Sequence, residues 1–213
     1  MLSAKQANRR YFRQAYRTGR HGWAVEEPSP YVLAFLGRLA RLAAGGRLLD
    51  VGCGEGRHAF AAGMLGFDVT AIDYEPLALR RARELAKTRR GARVVFQRAD
   101  FLRLPLRKGH FDVVLDCGCL HHQRKVDWPA YRASLLAALK PRGYYVLSVF
   151  GPGFRLFRGR RNWHIAQGAY RRCFTRREIR DRFDRDFEIL DLVAERGRGG
   201  GFWHALMRRR QGR

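Results

Sequence analysis

Long apolar runs are missing from this 213-residue chain. No stretch approaches the ~20 residues needed to cross a bilayer, so no membrane span is expected. Cysteine is scarce: Cys53, Cys117, Cys119 and Cys173, with no C-x-x-C pair. That argues against a disulfide framework and against a structural zinc module. No apolar secretory segment precedes these cysteines, so a reduced, cytoplasmic context is expected. Internal repeats and Ser/Pro-rich linkers are also absent, and one domain over residues 1–213 is the expectation. A chain of this length buries roughly 70% of its unfolded surface and needs no covalent staple.

Acidic residues and lysine are in short supply too. Asp and Glu number 19 against 43 basic residues, 38 of them arginine, for a net charge of +24. Such an excess suits an acidic ligand or a nucleic acid. The arginines run from Arg9 to Arg213, with clusters at Arg158–Arg161, Arg171–Arg182 and Arg208–Arg210. Spread in this way they promise only non-specific affinity, and arginine-rich coding bias explains them as well.

What is present is an alternation of strands and helices. Apolar runs predict strands at 47–51, 67–72, 93–98, 111–116 and 143–150, and helical periodicity predicts helices at about 57–65, 76–88 and 129–139. This order implies an α/β fold with a parallel sheet and helices on both faces. Ahead of it, residues 5–18 form a basic, aromatic helix. A second helix is capped by Ser29 and opened by Pro30, with Val32, Leu33, Leu36, Leu39, Ala40 and Ala43 on its apolar face. Behind it, 151–174 is a Gly/Arg/aromatic insertion. Thr175–Glu178 is a capping box opening a helix to about Phe183, and strands follow at about 186–194 and 202–208. The division expected is a helical cover (1–45), a cofactor-binding core (46–150), a lid (151–174) and a C-terminal helix with strands (175–213).

The first strand ends in Asp50-Val51-Gly52-Cys53-Gly54-Glu55-Gly56. Alternate glycines let backbone N–H groups approach a ligand, and the following helix N-terminus adds unsatisfied donors. A dinucleotide loop needs a third glycine at position 57, which is Arg57. Asp73, with Tyr74 beside it, ends the second strand; its carboxylate suits the paired hydroxyls of a ribose or the N-cap of the helix opened by Pro76. Asp100-Phe101 ends the third, where an acid can accept from an adenine amino group and a ring can pack on the base, unless Asp100 caps a loop.

The set Asp50 to Gly56, Asp73, Asp100-Phe101, Phe111-Asp112-Val113-Val114-Leu115-Asp116, Leu120-His121-His122 and Leu139-Lys140-Pro141-Arg142-Gly143 resembles the class I S-adenosylmethionine-dependent methyltransferases over residues 47–150, with Arg142 where glycine is usual. The resemblance implies a Rossmann-like seven-stranded sheet, mostly parallel with its last strand antiparallel. It implies S-adenosyl-L-methionine as cofactor, bound by Asp50, Gly52, Cys53, Gly54, Gly56, Asp73, Tyr74, Asp100, Phe101, Asp116 and Cys117. His121 and His122 would lie near the methyl group, where one could act as a general base; a packed histidine is the competing reading. C-x-C-x-H-H is too tight for a zinc site, so no metal is expected.

Specificity in an open α/β sheet comes from what covers the strand ends. Tyr16, Trp23, Trp163, His164, Tyr170 and Arg171 are the expected acceptor-binding residues, and ordinary packing is the alternative for each aromatic. The segment from Tyr16 to Trp23 loosely resembles the N-terminal cover of small thiol-type methyltransferases. A small-molecule acceptor is the leading expectation. The alternatives are RNA or another anionic polymer, favoured by the charge, and a non-catalytic cofactor-binding protein. No N-P-P-Y-type tetrapeptide follows the fourth strand, which speaks against exocyclic base amines. The sequence fixes neither the acceptor atom nor the oligomeric state.

Overall fold

A computed structural model describes residues 4–19, 21–23, 27–42, 45–104, 108–157, 162–195 and 201–211. Two helices come first, α1 (Ala4–Thr18) and α2 (Pro30–Leu42). The alternating core follows as β1 (Arg47–Val51), α3 (Arg57–Met64), β2 (Asp68–Asp73), α4 (Pro76–Ala86), β3 (Val94–Arg98), β4 (Phe111–Cys117), α5 (Trp128–Ala138) and β5 (Leu139–Phe150). The chain ends with β6 (Trp163–Ala166), β7 (Ala169–Arg172), α6 (Arg176–Phe183), β8 (Phe187–Ala194) and β9 (Phe202–Arg209).

Seven strands form one sheet in the order β3-β2-β1-β4-β5-β9-β8, and β6-β7 pair separately. β1 to β5 run parallel, while β9 is antiparallel to both neighbours. The apolar strand runs are explained by burial on both faces. Val113 and Leu115 pack with Val32, Leu36 and Leu39 of α2 and with α3 and α4. Val114 between them packs with Tyr131 and Leu135 of α5 and with Ile179 and Phe183 of α6. Strand order reverses between β1 and β4, so the loops leaving their carboxyl ends diverge and open a crevice there.

Three details differ from the sequence reading. β5 begins at Leu139, which pairs with Phe111, and the turn at Pro141–Gly143 is absorbed into the strand as a register shift between Phe111 and Val113. The 151–174 insertion contains the hairpin β6–β7, turned by Gln167 (φ 53°) and Gly168 (φ 79°). Leu33, placed on the apolar face of α2, is 37% exposed. Arg20, Ala43, Arg158, Arg160, Arg161 and Gly197–Gly200 lie outside the described residues.

Among the described residues, Arg142 is one of two non-glycine residues at positive φ, at 62°. A side chain there costs about 1–2 kcal/mol, which glycine avoids. Arg142→Gly is therefore expected to raise the melting temperature by about 2–4 °C for each kcal/mol recovered. Calorimetric melting checks this, and an unchanged or lower value contradicts it.

Candidate functional site

The crevice at the carboxyl ends of β1, β2 and β4 opens into a cavity of about 560 Å³. Its floor is the loop after β1. Gly52, Gly54 and Gly56 all take positive φ, at 67°, 58° and 87°. At Gly54 a Cβ would stand 2.8 Å from the Tyr16 hydroxyl. Gly56 has another duty: it precedes α3, and a Cβ there would strike the Phe96 ring at 2.8 Å. It packs the core and does not line the cavity, which corrects its sequence assignment as a ligand contact.

Asp73 organises this floor. Its Oδ2 accepts the Gly54 N–H (3.0 Å) and its Oδ1 accepts the Glu75 N–H (2.8 Å). The N-cap of α4 is Glu75, buried to 1% exposure and accepting the Leu77 N–H (3.2 Å), so Asp73 is left to face the cavity. Asp50 lies beneath, 2% exposed, with an Oδ2 that has no partner among the described residues. Burial, then the charges of Asp116 and Asp73, push its carboxyl up to about 8. Asp73 is raised to about 6, mainly by burial, with the two N–H groups pulling it back.

Although the backbone that follows it at Cys117 lines the cavity, the Asp116 carboxylate does not. Fully buried, it accepts the Tyr131 hydroxyl (2.5 Å) and the backbone N–H groups of Cys119 (2.7 Å) and Leu120 (3.0 Å). It thereby folds the loop that presents Cys117, Gly118 and Cys119 to the cavity. Burial keeps the thiols protonated: Cys117 is raised to about 11, and Cys53 and Cys119 well above the usual value. Phe101, packed edge-on against Tyr131, and Tyr74 line the wall nearby.

The two histidines are not equivalent. His121 stacks on Phe150 (3.6 Å between centroids, 17°), and its Nδ1 accepts the Phe150 N–H (3.3 Å), which puts the proton on Nε2. His122 Nδ1 lies 2.9 Å from the Tyr170 carbonyl and must donate, leaving Nε2 as the acceptor. Burial, followed by neighbouring positive charge, holds His121 well below its usual value. Burial brings His122 down to about 4, against the pull of the Tyr170 carbonyl. Both rings are neutral at pH 7.

A cover closes over this floor, and most of it comes from α1. Residues spaced four apart share a face of a helix. Asn8, Phe12 and Tyr16 form one stripe toward the cavity. Asn8 donates to the His122 carbonyl (3.1 Å) and accepts the Tyr170 N–H (2.7 Å); Phe12 meets His122 edge-on at 4.9 Å. The Tyr16 hydroxyl accepts the Trp23 indole N–H (3.1 Å), so this residue and Trp23 sit over the glycine loop, on the floor side of the cavity. Lys5, Arg9 and Arg13 form a second, cationic stripe. Lys5 (2.5 Å) and Arg9 (3.1 Å) pair with Asp100, and Arg13 (3.6 Å) with Glu75. Burial raises Asp100, but the Lys5 hydrogen bond and charge outweigh it and hold the carboxyl below its ordinary value.

The β6–β7 hairpin supplies the opposite wall. Arg171, 8% exposed, lines the cavity with its guanidinium over the Tyr11 ring (4.7 Å). Tyr170 contributes its backbone to Asn8 and His122, while its ring stacks outward on Trp163 (6.2 Å). Trp163, 42% exposed, and His164, tilted against Phe157, do not line the cavity, which corrects two sequence assignments. The alternation of β6 explains Trp163, which shares its face with Ile165 and points away from Arg171. The rest of the wall is Phe150, Phe154 and Phe202, with Phe150 stacked on Phe154 at 4.2 Å. Sequence reading missed Asn8, Phe12, Lys5 and Arg9, although their four-residue spacing was visible.

Residues 48–143 match the family model described as a methyltransferase domain. An uncharacterized methyltransferase of Schizosaccharomyces pombe is 39% identical over 88 residues, 41% of this chain and 60% of that protein. The 2-heptyl-1-hydroxyquinolin-4(1H)-one methyltransferase of Mycobacteroides abscessus is 27% identical over 130 residues, 60% of this chain and 55% of that protein. The chain therefore spans only a little over half the length of these relatives. Among solved structures, the Burkholderia thailandensis 1,6-didemethyltoxoflavin-N1-methyltransferase, with bound 1,6-didemethyltoxoflavin and S-adenosylhomocysteine, superposes with a TM-score of 0.79. It is 25% identical, and the match covers 99% of this chain and 92% of that one.

Proposed function

We propose, from the premise that this chain belongs to the class I S-adenosylmethionine-dependent methyltransferases, that it moves a methyl group from this cofactor to a small-molecule acceptor. The cofactor supplies an electrophilic methyl carbon on a cationic sulfonium. The residues present suit it: the buried, unpartnered Asp50 Oδ2 needs a positive group, and the glycine floor leaves room for close backbone approach. Asp73 takes the ribose hydroxyls. Phe101 and Tyr74 flank the base, with Asp100 at its edge. The backbone from Gly52 to Gly54, with Asp50 below, holds the amino-acid end. The loop from Cys117 to Cys119 lines the reacting centre and helps exclude water, and alignment of the acceptor is the main service the protein renders.

The observation that carries the small-molecule reading is the cover. α1 crosses the mouth and is pinned at Asn8, Asp100 and Glu75. A cavity of about 560 Å³ beneath it falls in the range for small ligands. One observation favours a polyanion: a groove lined by Arg132, Arg142, Arg185, Arg208, Arg209 and Arg210. It sits at the amino end of β5, about seven residues of strand, or roughly 23 Å, from the cavity.

Calorimetric titration with S-adenosylhomocysteine, followed by transfer from methyl-labelled cofactor to phenols, thiols, ring N–H compounds and total RNA, tests the reading. Saturable binding and labelling of a small acceptor are expected. No binding of either cofactor form refutes it; binding with RNA as the only labelled acceptor supports the polymer reading, and binding without any transfer supports a non-catalytic role.

A further inference from the structure

At the end of the sheet opposite the cofactor crevice, four parts of the chain enclose a groove of about 940 Å³. Arg132 comes from α5, Arg142 from the start of β5, Arg185 from the turn after α6, and Arg208, Arg209 and Arg210 from the end of β9 and just beyond it. Two carboxylates share the groove. Asp186 is taken up by Arg132, whose Nε and Nη2 both donate to it at 2.5 Å. Glu188 stands opposite Arg208 in the β8–β9 register and has no ion-pair partner among the described residues. Arg209 donates to the carbonyls of Leu136 (2.7 Å) and Leu139, and Arg210 to that of Asp184 (3.1 Å), which fixes both without cancelling their charge. Among the described residues, the side chains of Arg142, Arg185 and Arg208 have no hydrogen-bond or ion-pair partner.

We infer that this groove is a second binding site, separate from the methyl-transfer cavity, that holds the sugar–phosphate backbone of duplex nucleic acid without reading its sequence. A concave surface lined by charge of one sign focuses its field on whatever enters. Here five of six guanidinium groups lack a carboxylate within ion-pair distance among the described residues. The planar fork of arginine matches two phosphate oxygens at once, which a lysine ammonium does not. Arg142 adds a separate sign of use. It holds φ at 62°, where a side chain is strained, and strain kept at a charged groove points to a task for that side chain.

The lining also selects among anionic partners. It contains no aromatic side chain among the described residues, so it offers no platform for the unstacked bases of a single strand. Leu136 is its one apolar residue, and none of the large exposed apolar side chains of the described residues lies in it. Nothing there can insert into the acyl region of a membrane. Phosphate contacts of this kind position a duplex and carry no sequence information. The wide spread of arginine along the chain hid the site, because residues from 132 to 210 meet only when α5, β5, β8 and β9 share one end of the sheet.

Fluorescence anisotropy of labelled DNA duplexes of about 20 base pairs, in two unrelated sequences and over a range of NaCl concentrations, tests this site. The wild type is expected to bind both within threefold of each other, with affinity that falls steeply as salt rises. Replacing Arg142, Arg185 and Arg208 together by Gln should weaken binding at least about tenfold at 100 mM NaCl and lower the slope of log K against log salt by about two to three, since each phosphate contact contributes about 0.9. The matched control replaces Arg80, Arg90 and Arg93, exposed residues on α4 and beside β3 at the far edge of the sheet, by Gln. It removes the same charge and should stay within threefold of wild type. Arg142→Gly, which relieves the strain, decides the matter should the triple variant fail to fold: its slope should fall by about one. No duplex binding at 50 mM NaCl, equal losses in the triple variant and the control, or a slope unchanged in Arg142→Gly overturns the inference. So does tighter binding to phosphatidylserine vesicles or to polyglutamate than to the duplex, which would make the partner a membrane or an acidic protein.

Discussion

Asp73→Ala is expected to weaken S-adenosylhomocysteine binding by about 3 kcal/mol, roughly a hundredfold. Two losses combine. The carboxylate that would accept the ribose hydroxyls disappears, and so does the acceptor for the Gly54 and Glu75 N–H groups (3.0 and 2.8 Å) that fixes the glycine loop to the end of β2. The rest of the loop is held by the Cys53 N–H on the Ile72 carbonyl (3.0 Å) and the Gly56 N–H on the Cys53 carbonyl (2.9 Å), neither of which fixes Gly54. Asp73→Asn separates the two losses. It keeps one acceptor oxygen, so one backbone N–H stays satisfied, and a loss of about tenfold is expected. With its carboxyl raised only to about 6, Asp73 is ionised at pH 7.5, where the calorimetry is best done. Circular dichroism of both variants confirms that the sheet persists. Binding of Asp73→Ala within threefold of wild type contradicts the assignment.

The sheet was legible because parallel strands buried on both faces must be nearly all apolar, and Leu48-Leu49 and Val113-Val114-Leu115 say so without tertiary information. The glycine floor and Asp73 were conspicuous as a set: alternate glycines after one strand and an acid at the end of the next point to one crevice, although each alone also has structural uses. The cover was harder to read. The β6–β7 hairpin is signalled only by Gln167-Gly168 between two short runs, and surrounding arginines masked the alternation. The aromatic residues of 151–174 all looked equally able to touch a ligand. Which face of a hairpin meets the cavity depends on docking, and docking brought in Arg171 and left Trp163 outside. For Asp116 the sequence suggests only that its backbone faces the cofactor, and it does not reveal what the carboxylate binds. The buried Tyr131 hydroxyl that claims it lies 15 residues away on α5, and its further contact with the Tyr145 hydroxyl (2.8 Å) builds a polar chain under the loop. Asn8 carried no signal of its own, and its two hydrogen bonds to residues 114 and 162 positions distant exist only in the folded chain.

Asp50 is where binding is set against stability. Its carboxyl is raised from an ordinary value near 4 to about 8 by burial, reinforced by Asp116 and Asp73. The unfolded chain gives up this proton near pH 4, and the folded chain keeps it until about pH 8. The native state therefore holds more protons across that interval, and stability falls as pH rises through it. At neutral pH the strain amounts to a few kcal/mol. Asp50→Asn keeps the shape without the charge, and should make the ligand-free protein more stable by about 2 kcal/mol, or about 4–8 °C in melting temperature. The same change should weaken cofactor binding at least tenfold, since the amide offers no negative charge to a cationic ligand. In the wild type, that ligand should draw Asp50 into its ionised form. Binding near pH 7 is then accompanied by release of close to one proton, seen as calorimetric heats that differ between phosphate and Tris in proportion to their ionisation enthalpies, and affinity climbs from pH 6 to pH 8. Buffer-independent heats, or an Asp50→Asn protein that melts at or below wild type, would show that this carboxyl is not the strained group on which cofactor binding draws. A variant that gains heat stability and loses affinity together would place the cost and the use of Asp50 in the same buried, unpartnered oxygen.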